Sequence, residues 1–202
     1  MAKLLAAQLG FSYVNSGLMY RSAAWLAHLY RANPGHADAV WQTLRTADIQ
    51  FGLEDKELSV RIEGVDPEAH LKEEVVNRTV SLVATIPEVR VFLSDQLRGF
   101  STLDNIVVEG RDIGSVVFPE TPFKFYIDAA PEIRARRRAA QGLKDSPAHR
   151  DRIDSSRRSS PLVIADDAEV IDSSSLTVER VVKDVVLRLQ KKGFMPALSV
   201  HL

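Results

Sequence analysis

The sequence predicts an α/β fold built on a parallel sheet flanked by helices. Short apolar runs, rich in β-branched and aromatic residues, alternate with longer segments of helical periodicity. Each apolar run also ends at a small or polar residue, and ligands bind at the carboxyl ends of strands in open α/β sheets. The predicted strands are residues 13–14, 106–108, 123–127 and 170–171, and the residues that close them are Asn15, Glu109, Asp128 and Asp172.

The segments between these runs have the spacing of helices. The predicted helices are residues 2–9, 18–31, 37–47, 73–84, 87–100, 131–140 and 178–190. One segment breaks the alternation, because residues 49–51 and 58–62 bracket a polar turn and predict an antiparallel hairpin. Residues 141–160 are polar with little apolar periodicity, and we interpret them as part of a lid.

Composition excludes several classes of protein. With 202 residues and 45% hydrophobic content, the chain can bury one real core. A net charge of -1 gives no overall field for nucleic acid or an anionic membrane, and no cysteine is present for disulfides or thiolate metal sites. The histidines lack metal-ligand spacing, and no apolar run approaches the roughly 20 residues of a membrane span. We expect a cytoplasmic monomer without a metal site.

Polar residues form three motifs, two of them at strand ends and the third within the predicted lid. Each places an arginine, which grips phosphate bidentately, beside small or acidic residues suited to base recognition and close backbone approach. The motifs are Asn15-Ser16-Gly17 followed by Tyr20-Arg21, then Glu109-Gly110-Arg111-Asp112, and Arg150-Asp151-x-x-Asp154-Ser155-x-Arg157. The sequence therefore predicts a local anion site within a chain that has almost no net charge.

In these motifs the chain resembles the bacterial type of cytidylate kinase, a P-loop nucleoside-monophosphate kinase. The family's N-S-G-x-x-Y-R and R-D-x-x-D-S-x-R stretches match the first and third motifs. Its V-S-x-V-A-x-x-P-x-V-R stretch matches residues 80–90, and its E/D-G-R-D-x-G-x-V-V-F-P stretch matches residues 109–119. The motifs occur in family order, so the resemblance covers nearly the whole chain.

The resemblance implies transfer of the γ-phosphoryl group of ATP, with Mg²⁺, to CMP or dCMP in pyrimidine nucleotide metabolism. It also implies a core kinase domain of residues 1–34 and 101–202, with a short lid at about 139–160. Residues 35–100 would be an insert that binds the nucleoside monophosphate and contains the hairpin. The expected partners are these nucleotides, with neither nucleic acid nor membrane.

The resemblance also implies roles for single residues. Asp112 would accept from N4 of cytosine and Arg90 would donate to the ring acceptors, while Ser16 completes the base pocket. The substrate phosphate would contact Arg21, Arg111 and Arg157, and the sugar would contact Ser81, Arg150 and Asp154. The donors to the transferring phosphoryl group would be Arg137, Arg138 and Arg157.

One family feature has no counterpart in these residues. The G-x-x-x-x-G-K-S/T loop, which cradles the ATP phosphates, does not occur, and residues 1–7 align with the helix that normally follows it. We therefore expect an N-terminally truncated chain whose sheet lacks its first, central strand, between the strands that end at Glu109 and Asp128. The residues that bind ATP are not identified, and we expect weak catalysis.

Other interpretations stay open. The chain is either an active kinase, a catalytically inactive nucleotide-binding remnant, or a kinase for UMP or another monophosphate. The basic run 134–138 also fits a solvated helix face, and the third motif fits a surface ladder of ion pairs. Asp112 also fits a role in capping a turn, and Ser16 fits an ordinary helix N-cap.

Overall fold

The computed structural model describes residues 1–140, 147–157, 160 and 162–194, with the side chains of residues 147–150 left out. The helices are α1 Ala2–Leu9, α2 Ser16–Leu29, α3 Ala37–Thr46, α4 Glu74–Val83, α5 Pro87–Phe100, α6 Pro131–Ala140, α7 Pro147–Ser155 and α8 Val178–Lys191. The strands are β1 Ser12–Asn15, β2 Ile49–Glu54, β3 Glu57–Ile62, β4 Ile106–Glu109, β5 Phe125–Asp128 and β6 Glu169–Asp172. Two short turns of other helix types are a 3₁₀ helix at Glu68–His70 and a π-helix at Ile113–Val117.

The predicted helices are all present, and α1, α5 and α6 have the predicted bounds. Helix α2 begins two residues before the predicted start, because the Asn15 side chain accepts a hydrogen bond from the Leu18 amide at 3.2 Å and caps the helix. Helix α7 was not predicted. It lies within the polar stretch assigned to a lid and buries the acidic side chain of Asp154. Apolar periodicity therefore gave no signal for it.

The sheet is mainly parallel, as predicted, and comes in two parts. In the first part the strand order is β2-β3-β1-β4, with β1 parallel to β4 and the predicted hairpin of β2 and β3 at the other edge. The second part pairs β5 with β6 in parallel. Within the described residues, β4 has no strand on its other side and β5 pairs only with β6.

The larger core cluster lies around α2. It includes Val14 and Met19 together with Val40, Val76 and Leu93, each with a relative exposure of 0%. The last three belong to the predicted insert of residues 35–100, and they pack in the same cluster as residues of the predicted core domain. The division into two domains stays a prediction.

The smaller cluster covers the other part of the sheet. Helices α1 and α8 pack around Ile171 of β6, and Thr177 caps α8 by accepting from the Arg180 amide. The longest described helices, α2, α5 and α8, have 14 residues each. No helix among the described residues has the length and apolar content that a membrane span requires.

The burial of α5 leads to a stability prediction. Leu93 is fully buried in the larger cluster, so Leu93→Ala leaves a cavity and should lower the free energy of unfolding by about 2–5 kcal/mol. Leu103→Ala is the matched control, because Leu103 is 71% exposed and its truncation should cost less than about 0.5 kcal/mol. Urea unfolding monitored by circular dichroism measures both values, and equal losses would contradict this packing.

Candidate active site

A cavity of about 1070 Å³ runs along β4 and β5, reaches α1 and α8, and extends to the carboxyl ends of β1, β4 and β5. It is lined by every predicted site residue whose side chain the structure describes. These residues are Ser16, Arg21, Ser81, Arg90, Arg111, Asp112, Arg137, Arg138, Asp154 and Arg157. The side chain of the remaining predicted residue, Arg150, lies outside the described residues. The structure therefore brings together residues that are as far apart in sequence as Ser16 and Arg157.

A buried ion pair forms one wall of the cavity. Arg90 on α5 and Asp112 after β4 are 3% and 5% exposed, and the Nη2 of Arg90 donates to the Oδ2 of Asp112. The Nη1 of Arg90 donates to the Ala84 carbonyl at 3.0 Å, and its guanidinium lies 5.4 Å from the centre of the Tyr20 ring. Burial raises the pKa of Tyr20 to about 12, so its phenol stays neutral at physiological pH. Asp112 is thus a buried partner of Arg90 and more than a turn cap.

The turn after β4 approaches α2 closely. The Ser16 hydroxyl donates to the Glu109 carbonyl at 2.8 Å. A Cβ on Gly110 would lie 2.2 Å from the Ser16 Oγ and 2.8 Å from the Ile113 side chain, so only glycine fits there without displacement. Asn15, and not Ser16, provides the N-cap of α2. Ser16 instead joins the start of this helix to the end of β4.

Arg21 connects α2 to the segment before α4. Its Nη1 donates to the Leu71 carbonyl at 3.0 Å and to the Asn77 Oδ1 at 2.7 Å. The Asn77 Nδ2 in turn donates to the Lys72 carbonyl at 2.9 Å. These contacts set the direction of the Arg21 side chain at the cavity wall.

Asp154 of α7 pairs with Arg111, which follows β4, and with Arg157, three residues further along the chain. The Nε of Arg111 lies 3.3 Å from the Asp154 Oδ2, and the Arg157 Nη2 contacts the Asp154 Oδ1. The side chains of Asp154 and Arg157 are each 6% exposed, so this pair is not a surface ladder. Burial lowers the pKa of Arg157, and the Asp154 carboxylate opposes that shift. Asp154 and Arg157 of the third motif therefore form part of the cavity wall.

Arg137 on α6 also lines the cavity, and its guanidinium binds the turn after β6. The Nη1 donates to the Ser173 hydroxyl at 2.9 Å and the Nη2 to the Ser173 carbonyl at 2.6 Å. The basic run 134–138 is thus not a purely solvated face, because Arg134, Arg137 and Arg138 all reach the cavity.

Comparison with known proteins identifies the family of this chain. The sequence model of the cytidylate kinase family matches residues 1–191. The chain belongs to the cytidylate kinase family. It is 39% identical to a cytidylate kinase of Pelotomaculum thermopropionicum, with 94% of this chain and 89% of that protein covered. A cytidylate kinase of Streptomyces avermitilis is 34% identical, with 95% of this chain and 87% of that protein covered.

A bifunctional pantoate ligase/cytidylate kinase of Synechococcus elongatus is 35% identical, with 96% of this chain but 40% of that protein covered. The chain is thus similar to one part of that longer protein. Membership of the cytidylate kinase family confirms the α/β kinase fold and the phosphotransferase class that the motifs predicted.

Three interactions in or beside the cavity were not predicted. The Tyr13 hydroxyl donates to the Glu109 Oε1 at 2.5 Å. Burial, together with this hydrogen bond, raises the pKa of Tyr13 above its usual value. Lys124, which is 6% exposed, donates to the Asp167 carboxylate at 2.7 Å and lines the cavity. Asp151 pairs with Arg111 and Arg134. Of these three interactions, only that of Asp151 had a signal in the sequence. Asp151 and Asp154 are three residues apart, which puts both carboxylates on one face of a helix.

The close approach at Gly110 leads to a second prediction. Gly110→Ala should lower the free energy of unfolding by about 1–3 kcal/mol, because the new methyl group must displace Ser16 or Ile113. Gly99→Ala is the control, since a Cβ on that helical residue meets nothing within 4 Å and alanine favours helix by up to about 1 kcal/mol. Urea unfolding of both variants tests this, and an unchanged stability of Gly110→Ala would refute the requirement for glycine.

Proposed function

We propose that this chain transfers the γ-phosphoryl group of ATP to CMP or dCMP, giving CDP or dCDP. The observation that carries the proposal is the buried Arg90–Asp112 pair. It lines the same cavity as Arg21, Arg111 and Arg157. A buried donor and acceptor side by side suit the edge of a base, and clustered guanidiniums suit phosphate. The names of the curated relatives support the same activity.

The base would be recognised by hydrogen bonds. Cytosine presents an N4 donor beside the N3 and O2 acceptors. Asp112 would accept from N4 and Arg90 would donate to the ring acceptors, with Ser16 completing the pocket. Uracil has an oxygen in place of N4 and would face the Asp112 carboxylate. Because Asp112 is 5% exposed, water cannot relieve that mismatch.

The phosphate and the sugar would lie toward the arginines. Arg21, Arg111 and Arg157 line the cavity and would bind the phosphate of CMP, since planar guanidiniums match phosphate oxygens in pairs. Ser81 and Asp154 would contact the sugar hydroxyls, together with Arg150. Asp154 already orients Arg111 and Arg157, so the sugar and phosphate subsites share one carboxylate.

Phosphoryl transfer needs positioning and charge neutralisation more than covalent chemistry by the protein. Arg137, Arg138 and Arg157 would donate to the transferring group. Mg²⁺ usually binds through phosphates and one or two carboxylates, so it would enter with ATP. Across the part of the chain that the structure describes, no group of three or more His, Cys, Asp or Glu side chains forms a metal site of its own.

A second candidate is binding of CMP without phosphoryl transfer. The observation that favours it is the sequence itself, because no G-x-x-x-x-G-K-S/T motif occurs among the 202 residues. The two candidates share the CMP site and differ in the use of ATP. A kinase for UMP is disfavoured by Asp112, for the reason given above.

A turnover assay separates these candidates. With ATP, Mg²⁺ and CMP, we expect ADP and CDP to form in equal amounts. Chromatography of the nucleotides measures both products over time. EDTA should abolish it, because the metal neutralises charge on the phosphates. CMP binding by calorimetry without CDP formation would instead establish the second candidate, and the absence of both would rule out the proposed function.

Replacement of Asp112 tests base recognition. Asp112→Asn keeps the size of the side chain and offers uracil a donor, so we expect the ratio of CMP to UMP affinity to decrease by about 10-fold. Asp95→Asn is the matched control, because Asp95 forms an exposed ion pair with Arg98 and does not line the cavity. Calorimetric titration of each variant with both nucleotides gives the ratio, and an unchanged ratio in Asp112→Asn would remove Asp112 from base recognition.

A further inference from the structure

Asp151 on α7 lies between two arginines of the cavity wall. We propose that it is a positioning residue, which holds Arg111 and Arg134 side by side so that they bind the phosphate group of the nucleoside monophosphate. This inference rests on the proposed function and adds Asp151 and Arg134 to its phosphate subsite. The roles assigned above to the third motif concern Arg150, Asp154 and Arg157, and they leave the Asp151 carboxylate without one.

The contacts of Asp151 join three separate elements. Its Oδ1 accepts from the Nη1 of Arg111 at 2.5 Å, and its Oδ2 accepts from the Nη1 of Arg134. Arg111 follows β4, Arg134 lies on α6 and Asp151 lies on α7. The Asp151 side chain is 19% exposed, so both ion pairs are partly shielded from solvent. One carboxylate therefore fixes how close the two guanidiniums lie.

The position of Asp151 relative to the cavity indicates that it supports the two arginines and does not compete with a bound phosphate for them. Arg111 and Arg134 both line the cavity, whereas Asp151 does not. The carboxylate therefore contacts the guanidiniums without itself facing the cavity. A phosphate that enters the cavity would meet the two arginines without having to displace Asp151.

Arg111 keeps donors for a ligand. Its Nη1 donates to Asp151, which uses one of the five N–H groups of a guanidinium, and its Nε lies 3.3 Å from Asp154 in an ion pair. Its Nη2 makes no hydrogen bond within the described part of the chain. Two carboxylates on successive turns of α7 therefore hold Arg111 at two atoms, and the Nη2 amino group is available to a phosphate oxygen.

The charges explain why such support is needed. Arg90, Arg111, Arg134 and Arg157 all line this cavity, and like charges so close together repel one another. Without Asp151, Arg111 and Arg134 would lose their shared partner and would turn apart toward solvent. The arginines would then have to be reordered when a phosphate binds, which weakens binding. A ligand without a phosphate would not be affected.

The test compares CMP with cytidine, which has the same base and sugar but no phosphate. Calorimetric titrations would use the wild-type chain, Asp151→Asn, Asp151→Glu and the control Asp95→Asn. We expect Asp151→Asn to bind CMP about 10-fold more weakly and cytidine within about 2-fold of wild type. Asp151→Glu should recover part of the CMP affinity, because it restores an acceptor for both arginines. Thermal unfolding of each variant checks that it is folded.

Each other outcome overturns the inference. Equal losses for CMP and cytidine would show that Asp151 has only a structural role. Tighter CMP binding by Asp151→Asn would show that the carboxylate competes with phosphate, and unchanged binding would show that it has no role. If the wild-type chain binds neither CMP nor cytidine, the proposed function fails and this inference fails with it. If the wild-type chain binds CMP but the variants give one of the results above, the inference alone fails.

Discussion

The parallel pairing of β1 with β4 is the constraint on which the site depends. Its register sets Ser12 opposite Ile106 and Asn15 opposite Glu109, so both strands end at the same level. Because of this alignment, Ser16 at the start of α2 reaches the Glu109 carbonyl. The same alignment explains the requirement for glycine at position 110, where the two chain segments approach most closely. A shift of this register would separate the residues of the first and second motifs.

Charge is concentrated in one cavity of a chain that has a net charge of only -1. The arginines there are held by acidic residues, as in the pairs of Arg90 with Asp112 and of Arg157 with Asp154. A buried ion pair gives little net stability compared with apolar residues of the same volume, because both charges must be desolvated. Under the proposed function, these pairs are better explained by recognition of a base and a phosphate than by stability.

Much of the architecture could be predicted from local sequence. Helix α5 begins with Pro87, a residue suited to the first turn, and has the predicted bounds. The hairpin of β2 and β3 was predicted from its polar turn, and the structure pairs it along six positions from Ile49 with Ile62 to Glu54 with Glu57. Helix α7 could not be predicted in this way, since ion pairs with other elements contribute to its packing and a local apolar stripe does not.

The sequence by itself determined the order of strands and helices, the family motifs and the candidate site residues, because each depends on neighbouring residues or on a short fixed spacing. The tertiary structure decided which side chains meet. Arg21 contacts Asn77 across 56 positions of the chain, Arg111 contacts Asp151 across 40 and Arg90 contacts Asp112 across 22. No local spacing specifies such pairs, because they form only when separate helices pack at the ends of the strands. The support of Arg111 and Arg134 by one carboxylate is visible for the same reason only in the folded chain.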